Sequence, residues 1–195
     1  DLISAGDLVI KTINGSITVN GGSATPTEGI SGNGDILLLA EETAEATTAD
    51  ITLNASVIST TGNISFQSSD SITQTATVGD ITTSGASKTI DLKADDAINM
   101  GDGALTQSNN GNILYEATTG NITLGELSTG AAGTTTGKVA VIATAGSILD
   151  LGAVVDTSEV DITAADLILT AGSAIGESTN HLETTVLNLT TKSGS

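Results

Sequence analysis

The sequence predicts an all-β protein, a right-handed parallel β-helix that takes residues 1–195 as one domain. Three observations predict it. Isoleucines Ile64, Ile72, Ile81, Ile90 and Ile98 recur at spacings of 8, 9, 9 and 8 residues. Each opens a short apolar–polar passage after a glycine or polar pair, as in Gly62-Asn63-Ile64-Ser65-Phe66 and Gly79-Asp80-Ile81-Thr82-Thr83. Such spacing has room for strand and turn and none for a helix. Second, hydrophobic residues are 38% of the chain while aromatics are 1%. The core must come from Ile, Leu, Val and Ala, which fill a narrow tube in stacked rows where a large ring would break the row. Third, 23 glycines and one proline lie in short spacers, as tight turns require. A stack of β-sandwich modules is the alternative. It needs hairpins and antiparallel pairing, and a ladder stepping by eight or nine residues favours stacked coils.

Taken in order, Leu8-Val9-Ile10 and Ile17-Thr18-Val19 are the first strand signals, each after a polar turn. Residues 20–34 read as a long spacer rich in Gly, Ser and Thr. Ile36-Leu37-Leu38-Leu39 is a strong strand. Residues 41–49 are the one place for a helix, but their threonines and brevity favour a surface loop. Ile51-Thr52-Leu53 and Val57-Ile58 resume the winding and lead into the ladder. Residues 101–110 read as a loop or weak strand. Ile113-Leu114-Tyr115 and Ile122-Thr123-Leu124 come next, then a third spacer over residues 125–137. Val139-Ala140-Val141-Ile142, Ile148-Leu149, Val160-Asp161-Ile162, Leu167-Ile168-Leu169, Ala174-Ile175 and Val186-Leu187-Asn188-Leu189 carry the pattern onward. Within each strand alternate residues point inward, so Ile64, Ile81, Ile90, Ile98, Ile113, Ile122, Ile148 and Leu167 are the expected core. Asn63, Asp80, Asn112 and Asn121, each before an isoleucine, suit turns and bonds to nearby backbone. Two steps of the ladder span 17 residues, and Ile17 to Ile36 is 19. Coils of two or three short strands over roughly 17–25 residues give about ten coils in a rod of roughly 45–50 Å.

Charge excludes several functions. Five lysines, no arginine and 23 acidic residues give a net charge of −18. Such a chain repels phosphate backbones, which excludes nucleic acid as a partner, and it is unsuited to anionic membrane surfaces. No apolar run is long enough for membrane insertion. Without cysteine there is no disulfide framework, thiolate metal site or cysteine nucleophile. The chain begins at Asp1 without a secretion signal, which reads as an excised or processed piece.

Candidate chemistry is sparse. His181 is the one histidine, so neither a histidine triad nor a multi-histidine metal site can be built. The acids Glu41, Glu42, Asp95, Asp96, Asp102, Asp150, Asp156, Asp161 and Asp166 offer material for acid–base work on a polysaccharide. Sugar-cleaving enzymes of this shape add a basic residue and aromatic platforms, and this chain has only Phe66 and Tyr115. No catalytic, cofactor-binding or metal residue is therefore assigned, and no enzyme is expected. For calcium, Ser31-Gly32-Asn33-Gly34-Asp35 and the acids of residues 95–102 are the candidate stretches, although neither fits an established calcium-loop spacing. Asn14, Asn54, Asn63, Asn121 and Asn188 each open an Asn-x-Ser/Thr triplet. In a chain this rich in Asn, Ser and Thr, turn-and-strand composition produces such triplets by chance, and glycosylation is the minor alternative.

The repeated Gly-Asn/Asp/Ser-Ile passages resemble the shaft of filamentous-haemagglutinin-like adhesins, large exoproteins of Gram-negative bacteria often exported by two-partner secretion. Residues 167–176 and 180–189 are similar to the unit ends of their long tandem repeats. The resemblance spans essentially the whole chain and concerns pattern rather than any one protein. It implies a right-handed parallel β-helix at the bacterial surface or outside the cell, acting as spacer or adhesive surface. The implied partners are adjacent repeats stacked end to end and, in a second reading, a glycan or receptor held by spacers 20–34 and 125–137. Joined tail to head, residues 187–195 and 1–8 read as one more turn and strand, so the chain is expected to be about one period of a tandem array.

Overall fold

The computed structural model describes residues 1–23, 27–43, 48–151 and 160–194, and none of them is helical. Every strand pairing is parallel. The chain winds as a β-solenoid of about 7 turns. That excludes the sandwich alternative, which requires antiparallel neighbours.

Each turn has three faces. The first holds β1 (Leu2–Ser4), β4 (Glu28–Gly32), β7 (Ser56–Ser59), β10 (Ile81–Ala86), β13 (Leu105–Asn109) and β16 (Glu126–Ser128). The second holds β2 (Leu8–Ile13), β5 (Ile36–Glu41), β8 (Ile64–Ser68), β11 (Ile90–Ala94), β14 (Ile113–Ala117) and β17 (Lys138–Ala143). The third holds β3 (Ile17–Val19), β6 (Ile51–Leu53), β9 (Ile72–Gln74), β12 (Ile98–Met100), β15 (Ile122–Leu124) and β18 (Ile148–Asp150). The long β19 (Ile162–Ala171) runs across the corner between the first two faces and joins them into one sheet. β20 (Thr184–Ser193) lies on β19.

Register stacks like on like. Leu8, Ile36, Ile64, Ile90, Ile113, Val139, Leu167 and Leu189 form one row, with successive members 22 to 28 residues apart. Ile17, Ile51, Ile72, Ile98, Ile122 and Ile148 form another. All eight expected core residues are buried. Each buried Ile or Leu contributes roughly 1.5–3 kcal/mol. The step of eight or nine residues is therefore one face, and each coil uses three strands rather than two. Three steps make a turn, and the expected ten coils reduce to about 7. At ~4.8 Å per turn the stack is roughly 35 Å long.

Two expectations are corrected by the packing. Rings do fit the rows: Leu38, Phe66, Leu92, Tyr115, Val141 and Leu169 stack in register and are all buried. The Tyr115 hydroxyl lies 2.5 Å from Gln74 Oε1 and 2.6 Å from Thr106 Oγ1, both buried. The spacers also contain strands of the first face, β4 in residues 20–34 and β16 in 125–137, and of the two readings of residues 101–110 the strand is the one found, as β13. Their inward positions mix apolar residues with Gly, Ser and Thr. Ser59, Thr83 and Ser108 are buried, and their hydroxyls donate to the carbonyls of Gly34, Gly62 and Gly111 at 2.8, 2.7 and 2.7 Å. Within residues 41–49, Glu41 ends β5 and residues 44–47 lie outside the described residues.

Two outcomes are expected for the core. Ile81→Asp places an unpaired charge inside the tube and is expected to cost more than about 4 kcal/mol; an unchanged melting temperature would contradict the packing. Tyr115→Phe removes one buried hydroxyl while Thr106 still bonds Gln74 at 3.3 Å. Chemical denaturation should show a loss of about 1–2 kcal/mol.

Candidate functional site

The corners explain the Gly-Asn/Asp-Ile passages. The glycine comes against the backbone of the neighbouring coil. A Cβ on Gly111 would lie 1.7 Å from the Lys88 carbonyl oxygen, and one on Gly146 2.0 Å from that of Gly120. The next residue sends its side chain to a neighbouring coil. The Asp35 N–H donates to Asp7 Oδ1 at 2.9 Å, Asn63 N–H to Asp35 Oδ1 at 2.7 Å, and Thr89 N–H to Asn63 Oδ1 at 2.9 Å. Further along, the Lys138 N–H donates to Asn112 Oδ1 at 3.1 Å. A second corner repeats the device through Ser16, Asp50, Ser71, Asn121 and Ser147. At the third, Leu105 N–H reaches Asp80 Oδ1 at 2.9 Å. These polar residues thus bond backbone one coil away rather than nearby in sequence.

The same device builds the one convergent acid group among the described residues. Asp161 precedes Ile162 as Asp80 precedes Ile81, and Oδ2 of Asp161 accepts the Glu183 N–H at 2.7 Å. Here the stacked residue is itself acidic. Ligand atoms of Asp150, Asp161 and Glu183 all lie within 4.8 Å of one another. Burial, opposed by the Glu183 N–H and reinforced by the charges of Asp150 and Glu183, pushes the Asp161 carboxyl up to about 7. At neutral pH this group can hold a proton. With its carboxyls ionised it offers three oxygens to a hard divalent cation. Sequence reasoning named Asp150 and Asp161 but missed Glu183, although the corner rule places Glu183 one coil above Asp161.

The other candidates are dispersed. Glu41 pairs with Lys11 at 2.6 Å. Asp96 accepts the hydroxyls of Ser71 and Thr119, and Asp95 lines a shallow cleft with Glu41, Gln67 and Lys93. Asp102 lies beyond the far end of β12, away from the corner that holds Asp95 and Asp96. Asp35 of the other calcium stretch is a member of the corner ladder. Asp166 pairs with Lys138 at 3.0 Å, and the Asn188 amide and that lysine hold its carboxyl below the usual range. Asp156 lies outside the described residues. His181 is exposed beside an end hollow lined by Leu169, Ile175, Leu182 and Leu189. The triplet asparagines serve contacts of their own: the side chains of Asn14, Asn54, Asn63, Asn121 and Asn188 all hydrogen-bond across coils. Phe66 and Tyr115 are buried, so neither ring forms a sugar platform.

One groove bears on the second reading, although the two spacers supply only Gly130 to it. On the first face, Thr82, Ser84, Gln107 and Asn109 line a cleft of about 310 Å³ beside Gly130 of spacer 125–137. Its side chains are neutral hydroxyls and amides.

Comparison with known proteins finds no family model, no curated protein and no solved structure that matches the chain. No described helix is long and apolar enough to cross a membrane.

The acid group has a signed pH dependence. The folded carboxyl of Asp161 titrates near 7, against an ordinary 3.8. The fold therefore holds a proton that the unfolded chain releases, and stability falls as pH rises from about 4 through 7. Asp161→Asn keeps an acceptor for the Glu183 N–H and removes the titration. It should melt above the parent chain at pH 8 and converge with it near pH 4. Equal melting at both pH values would show that Asp161 is not strained by its neighbours.

Proposed function

We propose that this chain is a structural spacer, a segment of the rigid shaft of a secreted or surface-anchored bacterial adhesin, outside the cell, without catalytic activity or cofactor. One observation carries the reading: the interior rows and corner bonds repeat with little interruption from the first described coil to the last. In a solenoid each coil contacts only its neighbours, so adding coils lengthens the rod without changing its section. The ladder thus makes a stiff extension out of short coils. The surface supports the same reading. Asp7, Asp35, Asp50 and Asp80 are engaged in corner bonds and Glu41, Glu116 and Asp166 in inter-coil ion pairs, and no aromatic or arginine anchor of the kind that dominates binding energy is exposed. The partners are further coils of the same polypeptide, covering the apolar rows at both ends, with the chain as about one unit of a longer array.

The second reading is a binding module, favoured by the neutral groove at Thr82, Ser84, Gln107 and Asn109. In a chain of net charge −18, a cleft without acids suits the hydroxyls of a neutral glycan better than an anionic one.

A glycan array and a cell-binding assay on the 195-residue chain separate the two. A spacer gives no saturable binding. Saturable binding lost in a Thr82→Ala, Gln107→Ala variant would establish the groove as a site and overturn the spacer reading. For the shaft itself, Asn63→Ala and Asn121→Ala should each lower stability by about 1 kcal/mol. Ala97, which already lacks an acceptor at its corner, should tolerate Ala97→Ser without loss. If the two alanine variants match the parent chain in denaturant, the corner ladder does not stiffen the rod.

A further inference from the structure

We propose that the second face is an interface on which a second copy of this chain lies side by side, the two rods parallel and each coil against the same coil of its partner. The proposal goes beyond the spacer reading. It concerns the flank of the rod, which further coils at either end would leave uncovered.

The outward side chains differ from face to face. On the third face the outward row is Thr18, Thr52, Thr73, Asn99, Thr123 and Leu149. On the first, Thr82, Ser84, Gln107 and Asn109 line the neutral groove. The second face instead turns Leu37, Leu39, Leu114, Ala140, Ile142 and Ile168 outward, alternating with buried members of the same strands. Their exposure is lateral. Ile168 is 42% exposed although β17 and β20 pair on either side of it. A contiguous apolar flank marks an interaction surface.

Charge says which partner fits. The strands of the second face, with β19 and β20, carry Lys11, Lys93, Lys138 and Lys192 against Glu41, Asp91, Glu116 and Asp166, four of each sign. They cancel, so the whole net charge of −18 lies on the rest of the chain. Asp7, Asp35 and Asp95 stand at the margins of the face, outside its strands. Another acidic rod can therefore approach this flank without meeting net charge.

The face is also self-complementary. A two-fold axis along the rod reverses the partner's strands, so a residue meets the one two places along on the same coil. Leu37 then meets the partner's Leu39, Ser65 its Gln67, Asp91 its Lys93, and Ala140 its Ile142. Asp91 is half-buried, and burial raises its carboxyl against the Thr89 hydroxyl and Lys93; a second ammonium offsets that burial. Such a contact is isologous and closes at two copies. An antiparallel pair centred on β11 sets Asp91 on Asp91 and Lys93 on Lys93, and like charges so placed are costly. Parallel rods also keep coil on coil in an array of any length. A strand of five residues and a stack of about 7 turns give a face of roughly 550 Å², or about 1,100 Å² over both copies. That is the low end for a specific interface, so the pair is weak and reversible.

Sedimentation equilibrium on the whole 195-residue chain tests this. The expected result is a monomer–dimer equilibrium that stops at two copies and tightens as salt screens the net charges. Leu39→Glu and Ile142→Glu should each weaken it roughly tenfold or more, because each sets an unpaired charge in the contact. Thr52→Glu, on the third face, should leave it unchanged. Circular dichroism checks that every variant keeps its coils. The chain has no cysteine, so introduced thiols report the register. Ser65→Cys and Gln67→Cys, mixed, should be joined by a short bismaleimide. Joining of Ser65→Cys to Ala140→Cys instead overturns the parallel arrangement. A chain monomeric at every concentration and salt overturns the proposal and leaves the spacer reading to the glycan and cell assays. Growth past two copies overturns the closed pair. Association that survives Leu39→Glu and Ile142→Glu overturns the face, as does its loss in Thr52→Glu.

Discussion

The structure depends on one steric constraint, the close approach of backbone to backbone at the corners. Gly111 and Gly146 sit where any Cβ would overlap a carbonyl of the adjacent coil. Where the coils approach this closely only glycine fits, while other coils turn the same corners with Ala49, Asp70, Lys88 or Asp96 at that place. The glycine then fixes its successors. The residue after it has its side chain beside the next coil's unpaired N–H, so Asn, Asp or Ser is the useful choice. The residue after that points into the tube, so it is Ile or Leu. The passage Gly-Asn-Ile is one corner read along the chain. Its recurrence states one geometric problem many times.

The constraint also explains how so acidic a chain stays folded. Asp7, Asp35, Asp50 and Asp80 place carboxylate oxygens against backbone N–H groups of neighbouring coils. A hydrogen bond to a carboxylate is stronger than one to a neutral oxygen. The acids at these corners are thus structural. Asp161 marks the limit. Its corner bond is intact, but its stacked neighbour is Glu183 and Asp150 closes on the same point. Repulsion and burial then outweigh the amide, and the carboxyl titrates near neutrality.

Legibility tracks the chemistry of each face. The second and third faces open on Ile, Leu or Val, often after Gly-Asn, Gly-Asp or Ser, so the sequence alone places Ile64, Ile113 and Ile122 inside. On the first face Val57 and Ile81 are equally legible, but Ile30, Thr106 and Leu127 lie within runs of Gly, Ser and Thr, and those stretches read as spacers or, at residues 101–110, as a loop or weak strand. Nothing local distinguishes a buried Thr106, bonded to Tyr115 and Gln74, from a threonine in a loop. Its partners lie 9 and 32 residues away. With several strands of one face hidden, the sequence makes the turn look too short. The acid group is half visible for the same reason: Asp150 and Asp161 stand out in the sequence, while Glu183 joins them only once the turn length is known.

Repetition and function meet in where the stability resides. In a stack of nearest-neighbour contacts, an interior coil is held from both sides and an end coil from one. The rows show this directly: Leu167 and Ile36 are buried, while Leu189 is exposed and Leu8 half-buried, though all four occupy the same position on the second face. A rod built this way cannot be equally stable along its length unless something covers its ends. Longer arrays dilute the problem, because the number of ends stays at two while the interior grows. Added coils therefore raise the share of the stack that is held from both sides. A repeating stack is the form in which a chain of small aliphatic residues and very few aromatics gains that stability. It does so without the large core that a compact domain of this length would need.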